Sequence, residues 1–334
     1  MSTSDSPGSP PRKRTRSETL TADSEDGKIS IGRYTSDNLQ AYLNSLRGVS
    51  ADLEAFANPS KCTSLPFPSL LKSSIQSLHA PTGQYRYKHM GRSIFSSIMS
   101  EIQRLDRQIP TPVALVGTFG CGKTHLLAAL ASFLFAQGKR VVFLPESWLV
   151  ADDTMFWLKL AFALAFADRP QTMERILQFQ TVDELIEFTR GSCNEDIYFL
   201  VDGFDQLRDL KPAIYALTSR HFLIYTTYAL DPSAPTTQGV SWLRIPSGMS
   251  HDEFNEWTHH FESQLPWNLN KNFIEFHTGG IPALLKLLTK FSGEEFCDVC
   301  LKFRMERAFQ TIADNLVQFH LATVENCSTA QNAR

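Results

Sequence analysis

The sequence predicts an α/β fold: a parallel sheet flanked by helices, followed by a helical lid subdomain and preceded by a disordered N-terminal tail. Three observations carry this. Short apolar runs alternate with helical patterns between residues 112 and 245. A glycine-rich turn at 117–124 joins the first run to a helix, and a later apolar run, from Ile197 to Val201, ends in Asp202. Such β–α–β alternation implies parallel strands with crossover helices on both faces. The 334 residues, 43% hydrophobic and 20% charged, suffice for one large domain or two modest ones of ~100–200 residues. The expected division is a tail (1–30), a helical extension (31–84), the α/β core (85–248), the helical lid (249–320) and a second tail (321–334).

Residues 1–30 are rich in Ser, Pro, Thr, Asp, Glu and Arg. They hold too little apolar surface to offset the entropy of ordering. Within them the basic cluster Pro11-Arg12-Lys13-Arg14-Thr15-Arg16 reads either as a nuclear localisation signal for an import receptor or as a solvated charge run balanced by Glu18, Asp23, Glu25 and Asp26. Residues 31–110 are expected to be mostly helical with breaks at Pro59 and Pro66–Pro68. Leu39, Tyr42, Leu43 and Leu46 fall at helical spacing, as do Ile94, Ile98, Ile102 and Leu105. The stretch Tyr85 to Ser93 reads either as a segment that packs over a nucleotide base or, as its composition favours, as a connector into the second of these helices.

The motif that organises the chain is Gly117-Thr118-Phe119-Gly120-Cys121-Gly122-Lys123-Thr124, which fits G-x-x-x-x-G-K-[ST]. An apolar run, Pro112 to Val116, precedes it. A helical run from His125 to Phe135 follows. Loop N–H groups in such a turn converge on an anion, and the helix that follows adds its positive end. Lys123 is placed to reach the β- and γ-phosphates of a nucleotide, and Thr124 to hold Mg²⁺.

Downstream, Gly138 ends the helical run, and Arg140-Val141-Val142-Phe143-Leu144 is a second strand closed by Pro145. Helical patterns fill 153–190. Asp202 then lies at the C-terminal end of its strand, the edge where open α/β sheets bind ligands. Beside a phosphate loop such a carboxylate holds Mg²⁺; by itself it reads as a strand-end turn residue. Asp205 is the candidate general base or water-positioning group, and also a candidate helix N-cap. Phe222 to Thr227 form a further strand. Thr226 and Thr227 are placed to sense a γ-phosphate, although Thr favours strands on propensity alone. Val240 to Ile245 form the last strand. From 250 onward the pattern is helical, with Phe254, Trp257 and Phe261 on one face and Leu284, Leu285, Leu287 and Leu288 on another helix that Pro282 opens.

Several function classes lose support. A net charge of −3 gives no global case for nucleic acid. The apolar run 156–167 is shorter than the ~20 residues that span a bilayer, so no membrane segment is expected. Neither is a signal peptide, which leaves nucleus or cytoplasm. Six scattered cysteines suit a reducing compartment. The lone pair Cys297 and Cys300 lacks the second pair that zinc requires. Cys121, inside the loop, is expected to gain thiolate character from the local positive potential and so to be open to oxidation.

Taken together, the motifs resemble the STAND class of P-loop NTPases. Ile197 to Leu207, with its Asp-Gly-Phe-Asp core, is similar to that class's Walker B region. Thr226-Thr227 is similar to its sensor strand, and Gly280-Ile281-Pro282 to its G-x-P motif. Within the class, Arg140 to Pro145 with Trp148, and Gly91-Arg92 ahead of the loop, resemble the ATPase domain of Crinkler and retrotransposon-hot-spot-like proteins. The resemblance covers roughly 85–320. It implies an ASCE-type sheet with the sensor strand between the P-loop and Walker B strands, ATP with Mg²⁺, contact of Pro282 with adenine, a nucleotide-binding role for Arg92, and action in a nucleus. Gln206 departs from the class, which often has Glu there, and Tyr228 stands where an Arg often ends the sensor motif. The chain ends soon after the lid helices, so the nuclease-like domain of many relatives is expected to be absent.

The functional expectation is an ATPase. Lys123 and Mg²⁺ neutralise phosphoryl charge, Asp205 acts on the attacking water, and an arginine is supplied by Arg220, by Arg244 or by a second copy in a homo-oligomer. The alternative is a nucleotide-gated interaction module with little turnover. A third reading, a nuclear DNA-associated factor, predicts salt-dependent DNA binding that requires residues 12–16.

Overall fold

The computed structural model describes residues 30–31, 34–70, 77–79, 84–106, 109–146, 153–193, 195–207, 210–227, 239–265, 270–292, 310 and 314. The basic cluster 11–16, Trp148, Tyr228, Cys297, Cys300, the tail 321–334 and nearly all of the helix expected over 295–320 lie outside these residues.

Two short strands, β1 (Ser30–Ile31) and β2 (Tyr34–Thr35), pair antiparallel. Helix α1 (Ser36–Arg47) starts at Thr35, whose side chain accepts from the Asn38 N–H. That bond satisfies one of the donors a helix start leaves open. The predicted face of α1, Leu39, Tyr42, Leu43 and Leu46, is buried. A short helix, α2 (Leu53–Ala57), follows.

Residues 62–90 differ from expectation. Instead of helix and connector they form an antiparallel sheet of β3 (Cys62–Pro66), β4 (Ser77–His79) and β5 (Gln84–Met90), with β5 central. The alternation in β5 explains it. Tyr87 and His89 are buried while Lys88 between them is exposed. This is a period-two pattern that Arg and Lys on the outer face disguise as polar loop. Helix α3 (Ile94–Gln103) then buries Phe95, Ile98, Met99 and Ile102.

The main sheet comprises β6 (Val113–Val116), β7 (Arg140–Leu144), β8 (Ile197–Val201), β9 (Phe222–Thr227) and β10 (Ser241–Arg244). Its order is β10-β6-β9-β8-β7, and every pairing is parallel. The crossovers carry α4 (Lys123–Ala136), α5 (Thr154–Ala165), α6 (Pro170–Gln178), α7 (Val182–Glu187) and α8 (Lys211–Leu217).

Alternate strand residues face opposite cores, as the pleat requires. Val113, Leu115, Val141, Phe143 and Ile224 join the core that includes α1, α3 and α4. Ala114, Val116, Val142, Leu144, Phe199 and Tyr225 face the second core, with Phe162 of α5 and Ile214 of α8. Burial on both faces explains why these strands read as unbroken apolar runs. Helix α4 is buried from Leu126 through Phe135. Such an all-round apolar helix needs cover on its outer side, and α1 packs there.

The C-terminal unit packs α9 (His251–Phe261), α10 (Lys271–Thr278) and α11 (Pro282–Leu288) around Phe254, Trp257, Ile274, Leu284, Leu285, Leu287 and Leu288. Met90 of β5 joins this cluster. Among the described residues no helix is long and apolar enough to cross a membrane.

Candidate phosphate-binding site

The loop 117–122 leaves the end of β6 and enters α4 at Lys123. Gly122 is the N-cap, with φ 95°, a left-handed conformation that side chains with a Cβ resist. Gly117 is required for a different reason. A Cβ there would stand 2.9 Å from the Ile245 carbonyl oxygen and 2.8 Å from Cys121 Sγ. The chain leaving β10 therefore presses on the loop, held by the Ile245 N–H bond to Val116 O at 2.7 Å.

Lys123 is buried. Its Nζ donates to the carbonyls of Gly117 at 2.7 Å and Thr118 at 2.8 Å. Burial lowers its pKa, while Cys121, Asp202, Asp205 and Glu146 act in the opposite direction. A cation held inside the loop is the arrangement a polyphosphate needs for charge neutralisation.

Asp202 follows β8 directly and is 2% exposed. Its Oδ1 accepts from Thr226 Oγ1 at 2.6 Å, and that hydroxyl accepts from the Gly203 N–H at 2.8 Å. Thr226 thus lies at the predicted sheet edge, and its hydroxyl is committed to holding the acid. Burial pushes the Asp202 pKa up; the Thr226 and Thr124 hydroxyls and the Lys123 charge oppose this, and Glu146 adds to it. The second oxygen, Oδ2, is buried with no hydrogen-bond partner. An orphaned carboxylate oxygen beside a hydroxyl, Thr124, on the first turn of α4 suits a hard divalent cation with oxygen ligands. The residues present therefore fit Mg²⁺. Thr118 Oγ1 is a second buried polar atom without a partner. Thr227 is buried one residue beyond Thr226.

The order of the strands now bears on the site. The strand that ends in the loop, β6, and the strand that ends in Asp202, β8, are separated by β9, which carries Thr226. The fold is that of a P-loop NTPase.

Around this centre the remaining predicted residues fall into place unevenly. Asp205 sits in a 3-10 turn, Phe204–Gln206, half-buried, within the electrostatic reach of Lys123. Phe119 is partly exposed on the loop. His125 is turned against Tyr87, ring centroids 6.4 Å apart. Burial, and after it Lys286, His89 and Arg92, lower its pKa to about 3, so it is neutral. Cys121 corrects an expectation. Its thiol is fully buried, and burial raises its pKa despite Lys123 and Arg92, so it is a protected thiol and no exposed oxidation target. Arg220 precedes β9 and donates to the Arg190 carbonyl. It stands at the opposite sheet edge, about 20 Å from the loop at ~3.3 Å per residue, and cannot serve the site in cis. Arg244 ends β10 in register with Val116, exposed at the correct edge.

Arg92 and Pro282 join the loop to the C-terminal helices. The Ala283 N–H donates to the Gly120 carbonyl at 3.1 Å. The Pro282 ring lies against Gly122, 3.7 Å from where a Cβ would stand. Arg92 Nη1 donates to the Cys121 carbonyl at 3.3 Å, while its Nε lies 3.2 Å from Glu253 Oε2 on α9. Both partners of that ion pair are buried.

Two residues escaped the sequence reading. Glu253 is the capping-box acid of α9; its link to Arg92 has no local signature. Glu146 lies two residues beyond β7, and its Oε1 accepts from Gln206 Nε2 at 2.8 Å. A strand closing on an acid was the signal that revealed Asp202, and Pro145 interrupts it here.

No family model matches the chain, and no curated protein matches it. Three solved structures show similarity in fold. One is a Signal Transduction ATPase with Numerous Domains (STAND) protein with a tetratricopeptide repeat sensor from Pyrococcus horikoshii, at 15% identity and TM-score 0.40, covering 71% of this chain and 33% of that one. Another is AMPPCP-bound DnaA from Aquifex aeolicus, at 15% identity and TM-score 0.37, covering 64% of each chain. The third is a DNA replication initiation factor, at 13% identity and TM-score 0.30, covering 67% of this chain and 62% of that one. The chain thus spans about a third of the STAND structure and under two thirds of the other two. The P-loop fold is read from this chain's own strand order and loop.

Proposed function

We propose that this protein binds ATP with Mg²⁺ at the 117–124 loop and hydrolyses it, using the nucleotide state to set the position of the C-terminal helices. The observation that carries the reading is the meeting of Lys123, Thr124 and Asp202 at one sheet edge, with Asp202 Oδ2 buried and unpaired. Lys123 Nζ exchanges its two loop carbonyls for phosphate oxygens. Thr124 and Asp202 hold the cation, which neutralises charge across the β- and γ-phosphates. Asp205 is within reach of the same charges as a water-orienting acid. Arg244, or an arginine from a second copy, supplies further positive charge in the transition state.

Purified protein is incubated with Mg·ATP beside Lys123→Ala, and bound nucleotide and released phosphate are both measured. Binding and release in the unaltered protein, both lost in Lys123→Ala, support the proposal. Equal binding by both proteins refutes it.

A second reading is favoured by one observation: the loop and the C-terminal helices share the Ala283–Gly120 bond and the Arg92–Glu253 pair. On this reading the protein is a nucleotide-gated interaction module, with the ligand acting only through its different affinity for two arrangements. ATP retained without phosphate release selects it. The Crinkler-like assignment, import through 11–16, DNA association and self-association extend either reading. Nuclear exclusion after neutralising Arg12, Lys13, Arg14 and Arg16 would support the first two of these.

A further inference from the structure

The Gln206–Glu146 bond links the ends of β8 and β7 across the edge that carries Asp202. Register places the two close by necessity. Leu144 pairs with Val201, and the Asp202 N–H donates to the Leu144 carbonyl at 2.9 Å. Glu146 therefore leaves the sheet beside Asp202, on the side away from β9 and the P-loop strand. Gln206 is a neutral donor, and its amide fixes one Glu146 oxygen in place at the sheet edge. Glu146 is half-buried, and its charge is felt at both Lys123 and Asp202. It also has one more methylene than Asp205 with which to span from the sheet edge toward a reacting phosphate.

Resting on the ATPase reading above, we infer that Glu146 is the carboxylate that orients and deprotonates the attacking water, with Gln206 as its positioning residue. In the step, the water oxygen forms a bond to the γ-phosphorus. The bond from that phosphorus to the bridging oxygen breaks, and its electron pair leaves on ADP. The water proton passes to Glu146 and from there to the departing inorganic phosphate. Asp202 stays with the cation, and Asp205 contributes to the field around Lys123. Position 206 thus carries an amide that presents an acid from the neighbouring strand.

The test is single-turnover hydrolysis by the full chain with Mg·ATP, together with the identity of the nucleotide retained after rapid desalting. The set is the unaltered protein, Glu146→Gln, Gln206→Ala, Asp205→Asn and Lys123→Ala. Glu146→Gln is expected to lower phosphate release about 100-fold or more, the scale of a lost general base. It should retain ATP at an affinity within about threefold of the unaltered protein, which also shows that it folds. Gln206→Ala is expected to lower kcat about tenfold at unchanged KM and to move the acid limb of the pH–rate profile, which a purely structural defect leaves in place. Glu146→Gln turning over within threefold of the unaltered protein, with Asp205→Asn inactive, overturns the inference and assigns the role to Asp205. ATP bound without turnover by the unaltered protein also overturns it, while leaving nucleotide binding intact. Equal retention by the unaltered protein and Lys123→Ala removes the ATPase reading itself.

Discussion

Replacing Arg92 by Met isolates the bracket between the phosphate loop and the C-terminal helices. The Arg92 side chain is 7% exposed and the Glu253 side chain 3%. Removing one partner of a buried pair costs about 3–5 kcal/mol, because the other charge is left in a poor dielectric. Glu253 keeps three donors, the Ser93 N–H and hydroxyl and the Ser250 N–H, which places the expected loss near the lower figure, about 3 kcal/mol. At a urea dependence of about 1–3 kcal/mol per molar, the unfolding midpoint falls by about 1 M or more. Glu253→Gln in the same chain removes the stranded charge and should recover a large part of that loss. The pH dependence gives a second readout. Burial alone would raise Glu253, yet Arg92 and the Ser250 and Ser93 bonds together hold it below the ordinary carboxylate value. A depressed folded pKa contributes stability above the unfolded value and loses it as pH falls through the folded one. Without Arg92 the folded pKa rises toward or past the unfolded value, so the acid-dependent loss from this group shrinks. A single variant that costs under about 1 kcal/mol, or a pH profile parallel to that of the unaltered protein, would refute the bracket.

Two further outcomes follow from the same geometry. Thr226→Val strands the Gly203 N–H and one Asp202 oxygen. We expect a loss of about 1–3 kcal/mol for the unpaired buried groups and weaker Mg²⁺ dependence of ATP binding. An unchanged Mg²⁺ titration would show that Asp202 is not held for the cation. His89, buried against Phe56 and Phe95, has its pKa lowered to about 4, chiefly by burial. Between that value and the ordinary 6.5 the unfolded chain binds a proton that the folded chain does not, so stability falls as pH falls. Going from pH 7.5 to 5.5 should cost about 1.4 kcal/mol, and urea titrations of His89→Gln should lack that increment.

What the sequence disclosed, and what it withheld, follows from the range of the interactions. The strands of the main sheet are buried on both faces, so their apolar runs announce themselves; the loop is a local motif whose glycines and lysine sit within eight residues. Asp202 was legible because it ends such a run. The antiparallel sheet was not, because Arg86 and Lys88 alternate with the residues that β5 buries, and composition hides the period. Arg92 was noticed for the nucleotide, but its pairing with Glu253 was not: the two are 161 positions apart, and no local pattern encodes a contact of that length.

Position 206 is the sharpest case. Read along the chain, Gln206 counts as a lost acid, and that loss weakens the case for turnover. Read across the sheet, the same amide donates to Glu146 at 2.8 Å. An acid supplied from β7 is invisible to a motif written along β8, because a parallel sheet brings together strand ends that a whole crossover separates in sequence. A carboxylate at the end of either strand stands at the same sheet edge as the loop. The chemistry at such an edge is therefore set by which strand ends are adjacent, and β7 lies beside β8 in this chain.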